Sequence, residues 1–200
     1  MSGSDIDSVK GFMPKHEGNA LLSWAKKFSK IGPILEIGTY CGKSTLYLSQ
    51  GASANNEIVF SIDHHLGSEE HQLNEEYFDE EIYDFSKNRV NTFPLLINNI
   101  NHFQAKNIVP IISDSSEVAS KWSSAIGMVF IDGGHSLDAA MTDYISWEPM
   151  ILCNGALVIH DIFENPKDGG QAPYEVYKKA LQNNYKVYER VDTIVCLIKS

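Results

Sequence analysis

The chain has 200 residues, 43% of them hydrophobic, enough for one domain with an ample core. Its formal charge of −10 lacks the basic footprint that phosphate-rich partners need, so a nucleic-acid partner is not expected. No apolar run approaches the roughly 20 residues of a membrane span.

The opening Met-Ser-Gly-Ser-Asp-Ile-Asp has neither the basic nor the apolar region of a signal peptide. Cys41, Cys153 and Cys196 are few, odd in number and without metal-type spacing, which fits reduced thiols and a cytoplasmic location. Along the chain, residues 17–29 read as a helix and 34–37 as a buried strand carrying one acid, Glu36. Gly38 to Gly42 make a tight turn, and 43–49 continue as an amphipathic helix.

Strand, glycine turn and helix in that order build a nucleotide-type site, where a ligand approaches the backbone and a helix N-terminus offers N–H groups. Glu36 would repel a phosphate and suits a cationic amino-acid group instead. A P-loop is disfavoured, since Walker A needs four residues between its glycines and Gly38 and Gly42 enclose three. The G-x-G-x-x-G dinucleotide fingerprint is absent as well.

Further strands are expected at 58–62, 108–112, 128–131 and 156–159, Val/Ile-rich as strands buried on both faces should be. Pro110 interrupts the third. Helices are expected at 91–101, 115–121, 137–147 and 174–183. Strands at 185–189 and 193–198, joined by Arg190-Val-Asp, form an antiparallel hairpin. The alternation predicts a single α/β domain over 1–200, Rossmann-like, with a mostly parallel seven-stranded sheet, helices on both faces and a C-terminal antiparallel hairpin.

Residues 64–91 break the alternation. They hold eight Asp/Glu, three of the seven histidines and the aromatics Tyr77, Phe78, Tyr83 and Phe85. Placed at the carboxyl edge of the second strand, this insertion reads as a lid or substrate wall, with a solvated acidic loop as the alternative.

Four motifs in order resemble class I S-adenosylmethionine-dependent methyltransferases: Leu35-Glu-Ile-Gly-Thr-Tyr-Cys-Gly, Val59-Phe-Ser-Ile-Asp, Ile111-Ile-Ser-Asp-Ser-Ser and Val129-Phe-Ile-Asp-Gly-Gly-His. The resemblance runs from about Gly11 to the terminal hairpin. It implies S-adenosylmethionine on Glu36, Gly38, Thr39, Tyr40, Ser44, Asp63, His64, Asp114, Ser115 and Asp132. Asp63 would take both ribose hydroxyls, and Asp114 and Ser115 would face the adenine. Helix capping is the other use for Asp63 and Asp114.

The Asp/Asn-Pro-Pro-Tyr-like motif of nucleic-acid amino-methylating enzymes is absent. Asp132 and Asp161 end the fourth and fifth strands, a pattern similar to metal-dependent O-methyltransferases, including those acting on macrolide sugars. Those usually end the fifth strand with two acids, where this chain has His160-Asp161. The implied ligands are Asp132, His160 and Asp161, for Mg²⁺ or another divalent cation that accepts imidazole.

His135, three residues beyond Asp132, is the expected base for a hydroxyl proton, with Asp132 beside it, or else a residue orienting Asp132. Asp168, Gln171 and Tyr174 supply sugar-type hydrogen-bonding groups in a Gly/Pro-rich loop. The whole pattern resembles a bacterial subgroup tied to polysaccharide or secondary-metabolite synthesis, so the acceptor is expected to be a small hydroxylated molecule, a sugar or glycoside. A non-catalytic S-adenosylmethionine-binding protein and another metal-dependent enzyme on the same fold are the alternatives. Trp24 and Phe28 suit either a homodimer contact or the core.

Overall fold

Uninterrupted Val, Ile and Leu runs become strands because such segments bury both faces of a sheet, and the amphipathic segments between them become its covering helices. A computed structural model of the chain describes residues 5–67, 73, 78–134 and 136–200. Its strands are β1 (Ile34–Ile37), β2 (Val59–Asp63), β3 (Tyr83–Asp84), β4 (Arg89–Val90), β5 (Ile108–Ile112), β6 (Ile126–Ile131), β7 (Ile151–Ile159), β8 (Tyr185–Val191) and β9 (Ile194–Lys199). The helices are α1 (Lys15–Phe28), α2 (Lys43–Ser53), α3 (Phe93–Phe103), α4 (Ser115–Ala119), α5 (Leu137–Trp147) and α6 (Ala172–Gln182). No helix among the described residues is long and apolar enough to cross a membrane.

Seven strands form one sheet in the order β5-β2-β1-β6-β7-β9-β8. The first five are mutually parallel, and β9 runs antiparallel to β7 and β8. Side chains alternate across the sheet, so Leu35, Ile37, Val129 and Ile131 pack with Tyr144, Trp147 and Val176 of α5 and α6. Ile34, Met128 and Phe130 face the other way, onto Leu21, Trp24 and Phe28 of α1 and Leu48 of α2. The expected fold is therefore present. The chain steps outward from β1 to β2 and β5, then returns to β6 on the other side of β1. That reversal is where an open α/β sheet leaves a crevice at the strand ends.

Several expectations change. β5 is an edge strand, not one buried on both faces: Val109 and Ile112 are exposed. The edge also explains Pro110, since a strand paired on one side only has no second ladder for the missing N–H to join. β7 starts at Ile151, five residues early. Asn154, in left-handed backbone at φ 63°, and a register shift against β6 mark the irregularity that interrupts its apolar run. The final hairpin turns at Asp192 (φ 53°) and Thr193, later than Arg190.

Trp24 and Phe28 are buried within the chain, which takes them off any dimer face. α1 turns Leu21, Trp24, Ala25 and Phe28 inward, and Glu17 sits one turn earlier on that same buried face. Gly18 lets it approach α2, because a Cβ there would lie 2.3 Å from the Tyr47 ring. In the 64–91 insertion, His71 and Tyr77 lie outside the described residues. The later part is no solvated loop: Ile82, Tyr83 and Val90 pack with Cys41, against which Tyr40, Phe78 and Leu95 also rest.

Candidate active site

The carboxyl ends of β1, β2, β6 and β7 gather the polar residues. Gly38 leaves β1 at φ 88°, in the left-handed region, and a Cβ there would meet the Asp132 carbonyl oxygen at 2.0 Å. Glycine thus permits both the turn and its contact with the end of β6. Asp63, ending β2, straps this turn: its Oδ2 accepts from the N–H groups of Thr39 (2.9 Å) and Tyr40 (2.8 Å), and its Oδ1 from that of His65 (2.7 Å). Thr39 is buried, its hydroxyl 2.5 Å from that of Ser61, so only its backbone faces the crevice side. Tyr40 is left-handed at φ 50° and rests on the Phe12 ring, with centroids 5.7 Å apart.

Glu36 lies beneath the turn, fully buried, accepting 2.6 Å hydrogen bonds from Ser44 Oγ and Thr45 Oγ1. Burial pushes its carboxyl up to about 7, and the Asp132 charge adds to that against the pull of the two hydroxyls. Both oxygens are spent on the first turn of α2, so Glu36 and the Ser44 side chain support the site from below and present no surface to a ligand. Glu36 thus supports the polar network below the turn, as expected, while its enclosure leaves it no direct contact with a cationic amino-acid group.

His64 is half-exposed, and its Nδ1 accepts from the Leu66 N–H at 3.0 Å. Asp114 caps α4, accepting from the Ser116 N–H and hydroxyl, and those bonds hold its carboxyl below the usual range. Ser115 Oγ accepts from Trp147 Nε1 at 2.8 Å. His135 lies outside the described residues. The Gln171 amide nitrogen is spent on its own loop, donating to the carbonyls of Phe163 and Gly169 rather than facing a sugar, and Tyr174 stacks on Tyr177.

Asp132, His160 and Asp161 do come together, with one potential ligand atom from each lying within 4.8 Å of the others. What surrounds His160 was not legible beforehand. Its Nδ1 is 3.0 Å from Asp132 Oδ1 and 3.6 Å from Asp161 Oδ1, while its Nε2 is 2.9 Å from Glu17 Oε2. The other Glu17 oxygen accepts from the Thr193 N–H and hydroxyl, both at 2.7 Å.

An ionised carboxylate only accepts, so an imidazole bonded to one at each nitrogen is doubly protonated. Burial works against that charge, but the carboxylates of Asp132 and Glu17 override it and hold His160 up to about 11. Burial likewise works against the Glu17 charge, and the bonds from His160 and Thr193 prevail, leaving its carboxyl below the usual range.

This arrangement does not fit a divalent cation held by all three residues. As an imidazolium the ring has no lone pair to give, so an ion held by all three residues would first have to displace the proton lying between Nδ1 and Asp132.

The fold is a Rossmann-like sheet whose strand-end cluster lies at its switch point. A family profile described as a methyltransferase domain matches residues 35–162, more than half of the chain, and the chain belongs to that family. Solved structures share the fold. The SAH-bound methyltransferase PaMTH1 of Podospora anserina superposes with a TM-score of 0.66 at 14% identity, covering 94% of this chain and 79% of its own. An O-methyltransferase from Bacillus cereus in complex with SAH gives 0.62 at 14% identity, over 94% and 83%. An rRNA methylase from Streptococcus thermophilus gives 0.58 at 13%, over 95% and 98%.

Proposed function

We propose that this methyltransferase transfers a methyl group from S-adenosylmethionine to a hydroxyl of a small acceptor, a sugar or glycoside. The observation that carries the reading is the Asp63 strap over the Gly38 turn, which opens onto the crevice beside Asp132. A carboxylate has about four lone-pair sites, and three of those on Asp63 are taken by N–H groups of the chain. One remains, so Asp63 receives one ribose hydroxyl rather than two. The backbone of Gly38 to Tyr40 accommodates the amino-acid portion, and Asp114 and Ser115 border the adenine. The SAH carried by the Podospora and Bacillus proteins supports this cofactor. The charge of −10 supports a small acceptor over nucleic acid.

The transfer is an in-line displacement. The acceptor oxygen forms a bond to the methyl carbon as the carbon–sulfur bond breaks, the sulfonium becoming a neutral thioether. The hydroxyl proton passes to His135, whose imidazole is matched to accept it near neutral pH. Asp132 borders the path, and the 64–91 segment walls the acceptor side, tied to the chain's start where Lys10 pairs with Asp79 and Glu81. No step is assigned to a metal.

The test is a calorimetric titration with S-adenosylhomocysteine, followed by a screen of hydroxylated acceptors for its release from S-adenosylmethionine. Saturable binding and acceptor-dependent release are expected. A folded sample that binds neither ligand would end this reading.

A further inference from the structure

We propose that the Glu17–His160–Asp132 chain is a built-in cation. In this proposal His160, clasped between two carboxylates, stands where a divalent ion would otherwise sit at the end of β7, and the methyltransferase site holds no metal. The inference rests on the proposed function only in taking Asp132 as a border of the reaction crevice.

The argument is one of donors and acceptors. Three acids reach one ring from three separate elements: Glu17 from α1, Asp132 from the end of β6, and Asp161 from the end of β7. The ring is buried, and both nitrogens lie within 3.0 Å of a carboxylate oxygen. A neutral imidazole would turn a bare lone pair toward one of those oxygens, which geometry this short does not accommodate unless a proton lies between them.

Glu17 is in turn fixed by two hydrogen bonds from Thr193, so its carboxylate cannot swing aside to release the ring. The result is a cation whose position is set by packing rather than by solution concentration. It neutralises Asp132 from behind and directs that side chain into the crevice. Glu17 and His160 are accordingly positioning residues, acting through Asp132.

Two measurements on the wild-type chain decide the matter without acceptor or turnover. The first is ¹⁵N NMR of ring-labelled histidine, with the His160 resonances assigned by comparison with His160→Gln. Both His160 nitrogens are expected at the protonated shift at about pH 8, where an ordinary histidine is mostly neutral. The second is titration of chelator-treated protein with Mn²⁺ alone, followed by the electron-spin signal of the free ion, for which no saturable uptake is expected. A deprotonated ring nitrogen, or stoichiometric Mn²⁺ binding, would overturn the proposal.

A third arm tests whether the charge is what excludes the ion. His160→Asp replaces the cation with a third carboxylate and should bind Mn²⁺ at least tenfold more tightly than the wild type. A folded variant that stays inert toward Mn²⁺ would also overturn the proposal; if the variant does not fold, the wild-type pair decides. Failure of the proposed function would show separately, as absence of S-adenosylhomocysteine binding.

Discussion

Replacing Glu36 by Gln should stabilise this protein, and by an amount that depends on pH. Gln keeps the shape: its carbonyl accepts from one of the Ser44 and Thr45 hydroxyls, and its amide donates to the other. What it removes is the cost of a buried charge. The Glu36 carboxyl moves from 4.5 when unfolded to about 7 in the fold, chiefly through burial. Below the lower value both states are protonated and nothing is lost. Between the two the native state holds more protons, so stability falls as pH rises, and above the upper value the loss is complete.

That shift corresponds to roughly 3 kcal/mol at full extent, at 1.36 kcal/mol for each unit. Gln escapes it. Urea denaturation of both proteins should show them within about 1 kcal/mol of each other near pH 5, and the variant ahead by roughly 3 kcal/mol near pH 8. In melting temperature the alkaline gain is about 6 to 12 °C for a chain of this size. A difference between the two proteins that stays the same at both pH values would refute the reasoning, because only a titrating Glu36 makes it vary.

Other outcomes follow from the same geometry. Gly38→Ala places a methyl group 2.0 Å from the Asp132 carbonyl oxygen in left-handed backbone. It should cost roughly 2–5 kcal/mol and weaken S-adenosylhomocysteine binding at least tenfold, read by thermal melting and calorimetry. Asp63→Asn turns an NH₂ toward at least one of the three backbone N–H groups that now meet a carboxylate. We expect a loss of about 2 kcal/mol in stability together with weaker cofactor binding, and unchanged affinity would remove Asp63 from the cofactor site. His135→Ala should abolish methyl transfer while leaving S-adenosylhomocysteine affinity nearly intact; full activity would dismiss it as the base.

Much of the sheet could be read directly because continuous Ile/Val runs have few other uses, and the Gly38–Gly42 spacing announced the tight turn after β1. Asp63 and Asp132 do end β2 and β6, as the motifs that resemble methyltransferases implied. What stayed hidden was long-range. β5 resembles a buried strand in composition, and only the sheet order reveals it as an edge. The ribbon of β3 and β4 has two residues per strand, too few for any periodic pattern.

Glu17 was legible in principle. It is in phase with Leu21, Trp24 and Phe28 on one helical stripe, and an acid on an apolar stripe needs a buried partner. Which partner could not be told, since His160 lies 143 positions away and Thr193 lies 176 away. Without them His160 read as a ligand, since nothing nearby in sequence signals that its ring is already enclosed.

The Thr193 clasp on Glu17 also sets an order of events. Helix α1 is synthesised early and carries an acid on the face it must bury, while the hydroxyl and N–H that satisfy that acid belong to the last hairpin. Until β8 and β9 dock, inserting α1 buries a carboxylate with His160 to meet one oxygen and nothing from the hairpin to meet the other, so the newborn chain has reason to keep that helix loosely seated. Completion of the sheet and the full seating of α1 thus become a single event.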